Sequence, residues 1–135
     1  MYHLMVLTKK KTYFDGKASS LIVPGTIGYM QILKDHSPII ASLKPGKMQV
    51  RNGQGEEVLY AISGGIFEFN ENNALVLADT LESSDEIDIE RAEAALKKAL
   101  HRLEFDSETI DIHRTMQAIL RAQIRIQVYE KGRSQ

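Results

Sequence analysis

The chain has 135 residues, 43% of them hydrophobic and 26% charged, a balance that excludes a disordered polymer and allows either one compact body or a module of roughly 80 residues with an appendage. A formal charge of -1 excludes the broad basic excess by which nucleic-acid binders neutralise phosphate, so any phosphate site must be local. Cysteine is absent, which removes disulfides and thiolate chemistry and favours a reducing, cytosolic setting.

In chain order, Met1–Val6 runs into Thr8 and Lys9-Lys10-Lys11 with neither the leading basic region nor the long apolar core of an export signal. No stretch nears the ~20 apolar residues of a bilayer span, so the expectation is a soluble or peripheral protein without direct membrane insertion. From Tyr2 to about Ala78 the apolar residues come in short groups punctuated by Phe14-Asp15-Gly16, Val23-Pro24-Gly25, Lys44-Pro45-Gly46, Asn52-Gly53 and Asn70-Glu71-Asn72-Asn73. Glycine and asparagine accept positive φ and proline presets φ, so this spacing predicts short antiparallel strands in a sandwich or flattened barrel. Met48 and Val50 enter a hairpin at Asn52-Gly53; Val58–Ile62 returns, and Phe67, Phe69 and Leu75–Leu77 supply further strands. Gly64-Gly65 lacks the third glycine and following helix of a dinucleotide fingerprint and reads as a tight bend between strands.

Eight of the nine glycines precede residue 70, and only Gly132 lies behind. The polar stretch Leu81–Glu86 reads as a linker, after which Asp88 can cap a helix carrying Ile89, Ala92, Leu96, Ala99 or Leu100, and Leu103 on one stripe. Phe105–Glu108 is a reversal, and Ile112, Met116, Ile119, Leu120 and Ile124 define a second helix, although the alternation of Ile124, Ile126 and Val128 also fits a strand. The two stripes predict an antiparallel helical hairpin.

Stand-alone catalysis finds no equipment. There is no Gly-x-Ser-x-Gly elbow and no Walker-type loop, and His3, His36, His101 and His113 show no paired metal-ligand spacing. A hydrolase built on His36 and Asp35 would lack a nucleophile. Arg114, Arg121 and Arg125 fall seven and four apart on one helical face, and Arg91 and Lys98 are seven apart on the first helix. Taken singly these are solvated stripes. If the faces converge, five cations repel one another unless something anionic sits between them. A polyphosphate suits arginine forks, with Glu82 and Asp88 accepting from an exocyclic amine; an acidic partner protein suits them equally.

The segments Tyr2-His3-Leu4, Val23-Pro24-Gly25-Thr26-Ile27-Gly28, Asp35-His36-Ser37-Pro38-Ile39, Leu43-Lys44-Pro45-Gly46, Ile62-Ser63-Gly64-Gly65-Ile66 and Val76-Leu77-Ala78-Asp79, in this order, resemble the epsilon subunit of bacterial F-type ATP synthase, called delta in mitochondria. That resemblance implies an α+β fold, a ten-stranded β-sandwich over residues 1–83 followed by a two-helix hairpin over 84–135. It implies a non-catalytic central-stalk subunit, peripheral on the cytoplasmic face of the inner membrane, that couples ion-driven rotation to ATP synthesis. Its sandwich would bind the gamma subunit and the c-subunit ring, the latter through Asp35, His36, Ser37 and Pro38. Its hairpin would permit turnover when folded and obstruct ATP hydrolysis when extended toward the alpha and beta subunits.

Ile87-Asp88-Ile89-Glu90-Arg91-Ala92 is similar to the Ile/Leu-Asp-x-x-Arg-Ala motif of members whose folded hairpin binds ATP. By resemblance the ATP contacts are Glu82, Ile87, Asp88, Arg91, Ala92, Lys98, Arg121 and Arg125, with ATP a regulatory ligand and no cofactor required. Lys98 stands where the strongest binders carry arginine, a point charge in place of a planar fork. The competing expectation is a free-standing β-sandwich module whose basic helix recognises an acidic protein.

Overall fold

The computed structural model describes residues 1–133; the last two positions of the expected hairpin unit lie outside them. Nine strands occur among the described residues: β1 (Tyr2–Leu7), β2 (Thr12–Pro24), β3 (Tyr29–Ile32), β4 (Ile39–Leu43), β5 (Gly46–Asn52), β6 (Glu57–Ile62), β7 (Gly65–Asn70), β8 (Asn73–Ala78) and β9 (Leu81–Ser83). They pair in the order β4-β7-β8-β1-β2-β5-β6-β9, with β3 also on β2. All these pairings are antiparallel except β1 with β8.

The sandwich expectation holds, with nine strands where ten were expected. The 13-residue β2 is the reason. Its first half pairs with β1 as far as Ala18; from Ala18 onward it pairs with β5, across a register shift between Ala18 and Ser20, and from Leu21 with β3, so one bulged strand serves both halves. Alternation then fills the interior: Tyr2, Leu4 and Val6 from β1, Leu21 and Val23 from β2, Met48 and Val50 from β5, and Phe67, Phe69 and Val76 from β7 and β8 are almost fully buried. Tyr2 meets Phe69 edge-on at 5.3 Å and donates from its hydroxyl to Ile32 O at 2.7 Å. Burial pushes the Tyr2 phenol well above its ordinary pKa.

The Asn52-Gly53 hairpin forms, but the residue with positive φ is Gly55 (φ 83°), because Asn52 Oδ1 holds the loop by accepting from Gln54 N and Glu56 N. The bend at Gly64-Gly65 forms as read. A Cβ on Gly65 would sit 2.1 Å from Leu77 O, so only glycine lets β7 leave the bend against β8.

Leu81–Glu86 is not a free linker. Leu81–Ser83 pairs with β6 as β9, and Ser84–Glu86 is a 3-10 turn. Helix α1 (Ile89–Phe105) starts where Asp88 Oδ1 accepts from Arg91 N at 3.1 Å, as the sequence predicts. Helix α2 (Ile112–Arg133) starts the same way, Asp111 Oδ1 accepting from Arg114 N at 3.1 Å, and stays helical through Ile124, Ile126 and Val128. Beta-branching does not override the period here, because Ile124 and Val128, four apart, bury on one face.

Strand β6 explains how the hairpin docks. Leu59, Tyr60, Ala61 and Ile62 are all buried, so both faces of the strand are covered. Tyr60 and Ile62 face the sandwich core, while Leu59 and Ala61 join Ile87, Ile124 and Val128 in a second apolar cluster beneath α2. The predicted stripes are only half used. Ala92, Ala99, Ile119 and Ile124 are buried, whereas Leu100, Ile112, Met116 and Leu120 remain 39–52% exposed.

Candidate functional site

The first turn of α1, strand β9, the 3-10 turn and the middle of α2 enclose an open cleft of about 540 Å³. Glu82, Asp88, Arg91, Ala92 and Arg125, five of the residues expected to contact ATP, line it together with Thr80, Glu86 and Ala95. Asp88 is fixed at the opening of α1 by its capping bond from Arg91 N. Glu82 is fixed by β9, whose pairing with β6 sets Glu82 opposite Ala61.

Arg125 is not an unpaired cation. Its Nε donates to Glu82 Oε1 at 2.5 Å, both side chains being a little over one-third exposed, so one of the five cations is neutralised within the protein. Arg91 has no ion-pair partner among the described residues. The cleft therefore presents one guanidinium without an ion pair and one held by a carboxylate.

Lys98 and Arg121 line a neighbouring cleft of about 450 Å³ between the helices, with Arg102, Arg114 and Asp111. Arg121 also joins Glu82 and Arg125 along a narrow crevice of about 20 Å³, so it stands between the two spaces. From Asp88 to Lys98 the helix rises about 15 Å, a length that suits an extended ligand rather than a compact one. Ile87 is different: it is 7% exposed and packs with Leu59, Ala61, Ile124 and Val128 beneath the hairpin, so its role in the motif is to seat α1.

Sequence reading missed Thr80, Glu86, Ala95 and Arg102. Ala95 had a signal, lying three and four residues beyond Ala92 and Arg91 on the same helical face. Glu86 had one too, since Ser83-x-x-Glu86 is a capping-box spacing. Its carboxylate turns back to accept from the amide and hydroxyl of Ser83, both at 3.0 Å, and lies 3.6 Å from Lys11 Nζ. The Ser83 amide, then the hydroxyl and Lys11, hold Glu86 below the usual carboxylate range. Burial, then the Glu86 charge, pushes the Tyr60 phenol up.

The loop Asp35, His36, Ser37, Pro38 joins β3 to β4 and is not among the residues lining either cleft. His36 packs edge-on against Phe69 at 5.8 Å, and its Nδ1 lies 2.7 Å from Ser37 O. No group of His, Asp and Glu among the described residues is arranged to hold a metal ion, and no described helix is long and apolar enough to cross a membrane.

Chains of this fold occur in solved assemblies, among them two mitochondrial ATP synthases. One is the Euglena gracilis mitochondrial ATP synthase, seen as OSCP, F1 and c-ring (TM-score 0.69, 20% identity, 97% of this chain and 78% of that chain). The other is the central stalk and c-ring of the Tetrahymena thermophila mitochondrial ATP synthase (TM-score 0.57, 17% identity, 96% and 94%). Sequence likeness is closer. The ATP synthase epsilon chain of Desulforamulus reducens is 38% identical over 127 residues, 94% of this chain and 96% of the relative. That of Syntrophomonas wolfei is 37% identical over 130 residues, 96% and 95%. That of Ruminococcus albus is 37% identical over 132 residues, 97% and 98%. The family model for the beta-sandwich domain of the ATP synthase delta/epsilon chain matches residues 1–84, and that for its long alpha-helix domain matches residues 85–130. The chain, a bulged sandwich carrying a docked hairpin, therefore belongs to the ATP synthase delta/epsilon family of non-catalytic stalk subunits.

Proposed function

We propose that this chain joins the gamma subunit to the c-subunit ring in the central stalk, peripheral on the cytoplasmic face of the membrane, and that its docked hairpin holds ATP as a regulatory ligand. The observation that carries the ATP reading is the convergence of Glu82, Asp88, Arg91, Ala92 and Arg125, drawn from β9, α1 and α2, on one open cleft. The two carboxylates accept from an exocyclic amine of the base, Arg91 and Arg125 meet phosphate oxygens, and the polyphosphate runs past Arg121 toward Lys98.

A ligand touching β9 and both helices binds the docked hairpin and not the detached one. At 100 times its Kd it stabilises docking by about 2.7 kcal/mol. Low ATP would release the hairpin to extend along gamma toward the alpha and beta subunits, where it obstructs hydrolysis. The competing reading, a free-standing β-sandwich module whose basic helix recognises an acidic protein, draws on Arg114, Arg121 and Arg125 but leaves the sandwich motifs unexplained.

Calorimetry on the whole chain tests the ATP site. ATP binds the unmodified chain, and Arg91→Ala weakens it by about tenfold or more, the loss of a charge-assisted hydrogen bond. Equal affinity in both proteins, or no heat at millimolar ATP, overturns the site. Failure to co-purify with folded gamma overturns the stalk assignment instead.

A further inference from the structure

We propose that Asn72 is a positioning residue for the loop Asp35–Pro38, so that this loop and the β7–β8 turn meet the ring as one rigid ridge; this rests on the reading that the loop faces the ring. Two turns from distant parts of the chain come together here. Leu33–His36 closes through His36 N donating to Leu33 O at 3.2 Å, with Asp35 third in the turn at φ 65°. Glu71 and Asn72 form the two-residue connection between the paired Asn70 and Asn73, at φ 47° and 60°, the signature of a type I′ hairpin.

Both turns therefore hold non-glycine residues in the left-handed region, and the two meet in a reciprocal clasp. Asp35 N donates to Asn72 Oδ1 at 2.8 Å, and Asn72 Nδ2 donates to Asp35 Oδ1 at 2.9 Å. His3 N donates to Asn72 O at 3.1 Å, which ties the turn to β1, and His36 rests edge-on against the buried Phe69. The clasp is exposed, so it adds little to the stability of the sandwich. Its effect is orientational, since it fixes the Asp35 carboxylate and the path of His36, Ser37 and Pro38. Asparagine alone among residues that favour the left-handed region supplies both the acceptor and the donor; aspartate would repel Asp35, and glycine offers neither.

The substitution Asn72→Gly separates turn geometry from clasp, because glycine adopts φ 60° freely while both side-chain hydrogen bonds disappear. Affinity is measured for two assemblies lacking this subunit, one with gamma but no ring and one with gamma and ring. Asn72→Gly is expected to bind the ring-free assembly as the unmodified chain does, and to bind the ring-bearing one about tenfold more weakly. Asn72→Gly combined with Asp35→Ala is no worse than Asp35→Ala alone. Unchanged ring-bearing affinity in Asn72→Gly, equal losses in both assemblies, or additive losses in the double variant overturns the positioning role. Ser37→Trp guards the underlying reading: if it binds the ring-bearing assembly normally, the loop does not face the ring. If Ser37→Trp is excluded while Asn72→Gly binds normally, only the positioning role fails.

Discussion

Gly132, the lone glycine behind residue 70, lies in the last turns of α2 directly on the 3-10 turn. A Cβ added there would stand 2.5 Å from Ser84 Cβ and 2.6 Å from Ser84 Oγ, inside the 3.0 Å below which real Cβ atoms are essentially never found. Helix propensity and packing thus oppose each other in Gly132→Ala. Alanine favours the helix by about 0.5–1 kcal/mol, while forced overpacking costs about 1–3 kcal/mol. Packing wins, and the net is a loss of docking of about 1–2 kcal/mol, a shift of about 5- to 30-fold toward the detached hairpin. Urea titration of the full chain, with a fluorophore pair on the exposed Gln54 and Ser107, reads the docking free energy. The combined variant Ser84→Gly/Gly132→Ala removes the overlap and should regain the docking of the unmodified chain to within the few tenths of a kcal/mol, roughly, that the added backbone freedom of a glycine at position 84 costs. Docking unchanged or tightened in Gly132→Ala alone would refute the argument.

Glu86, held below the usual carboxylate range, contributes stability that is present above that range and lost as pH falls through its lowered pKa. Glu86→Gln keeps a side chain able to accept from the Ser83 amide but cannot titrate, so it should lower the melting temperature at pH 7, where the ionised carboxylate stabilises the fold, and flatten the acid side of the profile below about pH 4.3, where the two proteins converge. An unaltered acid limb would refute the assignment. Gly65→Ala places a methyl 2.1 Å from Leu77 O at a backbone with φ 152°, and should destabilise the sandwich by about 3 kcal/mol or more, measured by thermal unfolding.

Local physics was legible in the sequence. Turn chemistry placed the strand boundaries at Asn52-Gly53 and Gly64-Gly65, glycine placement separated sandwich from hairpin, and Asp88 announced the start of α1. Asp88, Arg91 and Ala92 were visible together because they sit within one helical turn. What depends on pairing between distant segments was not visible. The period of an apolar stripe says that a face exists, not that it finds a partner, so Ile112, Met116 and Leu120 looked like core and are exposed. Ile87 shared a motif with Asp88, but only the seating of α2 on the outer face of β6 sends it into the second apolar cluster and away from the cleft. Glu82 and Arg125 are 43 positions apart, and Asp35 and Asn72 are 37 apart. Sequence alone determined the two kinds of architecture and the residues able to bind phosphate. Tertiary structure decided which of those residues share a space and which cation is already neutralised, because long-range register is set by burial across the whole sandwich rather than by any local preference.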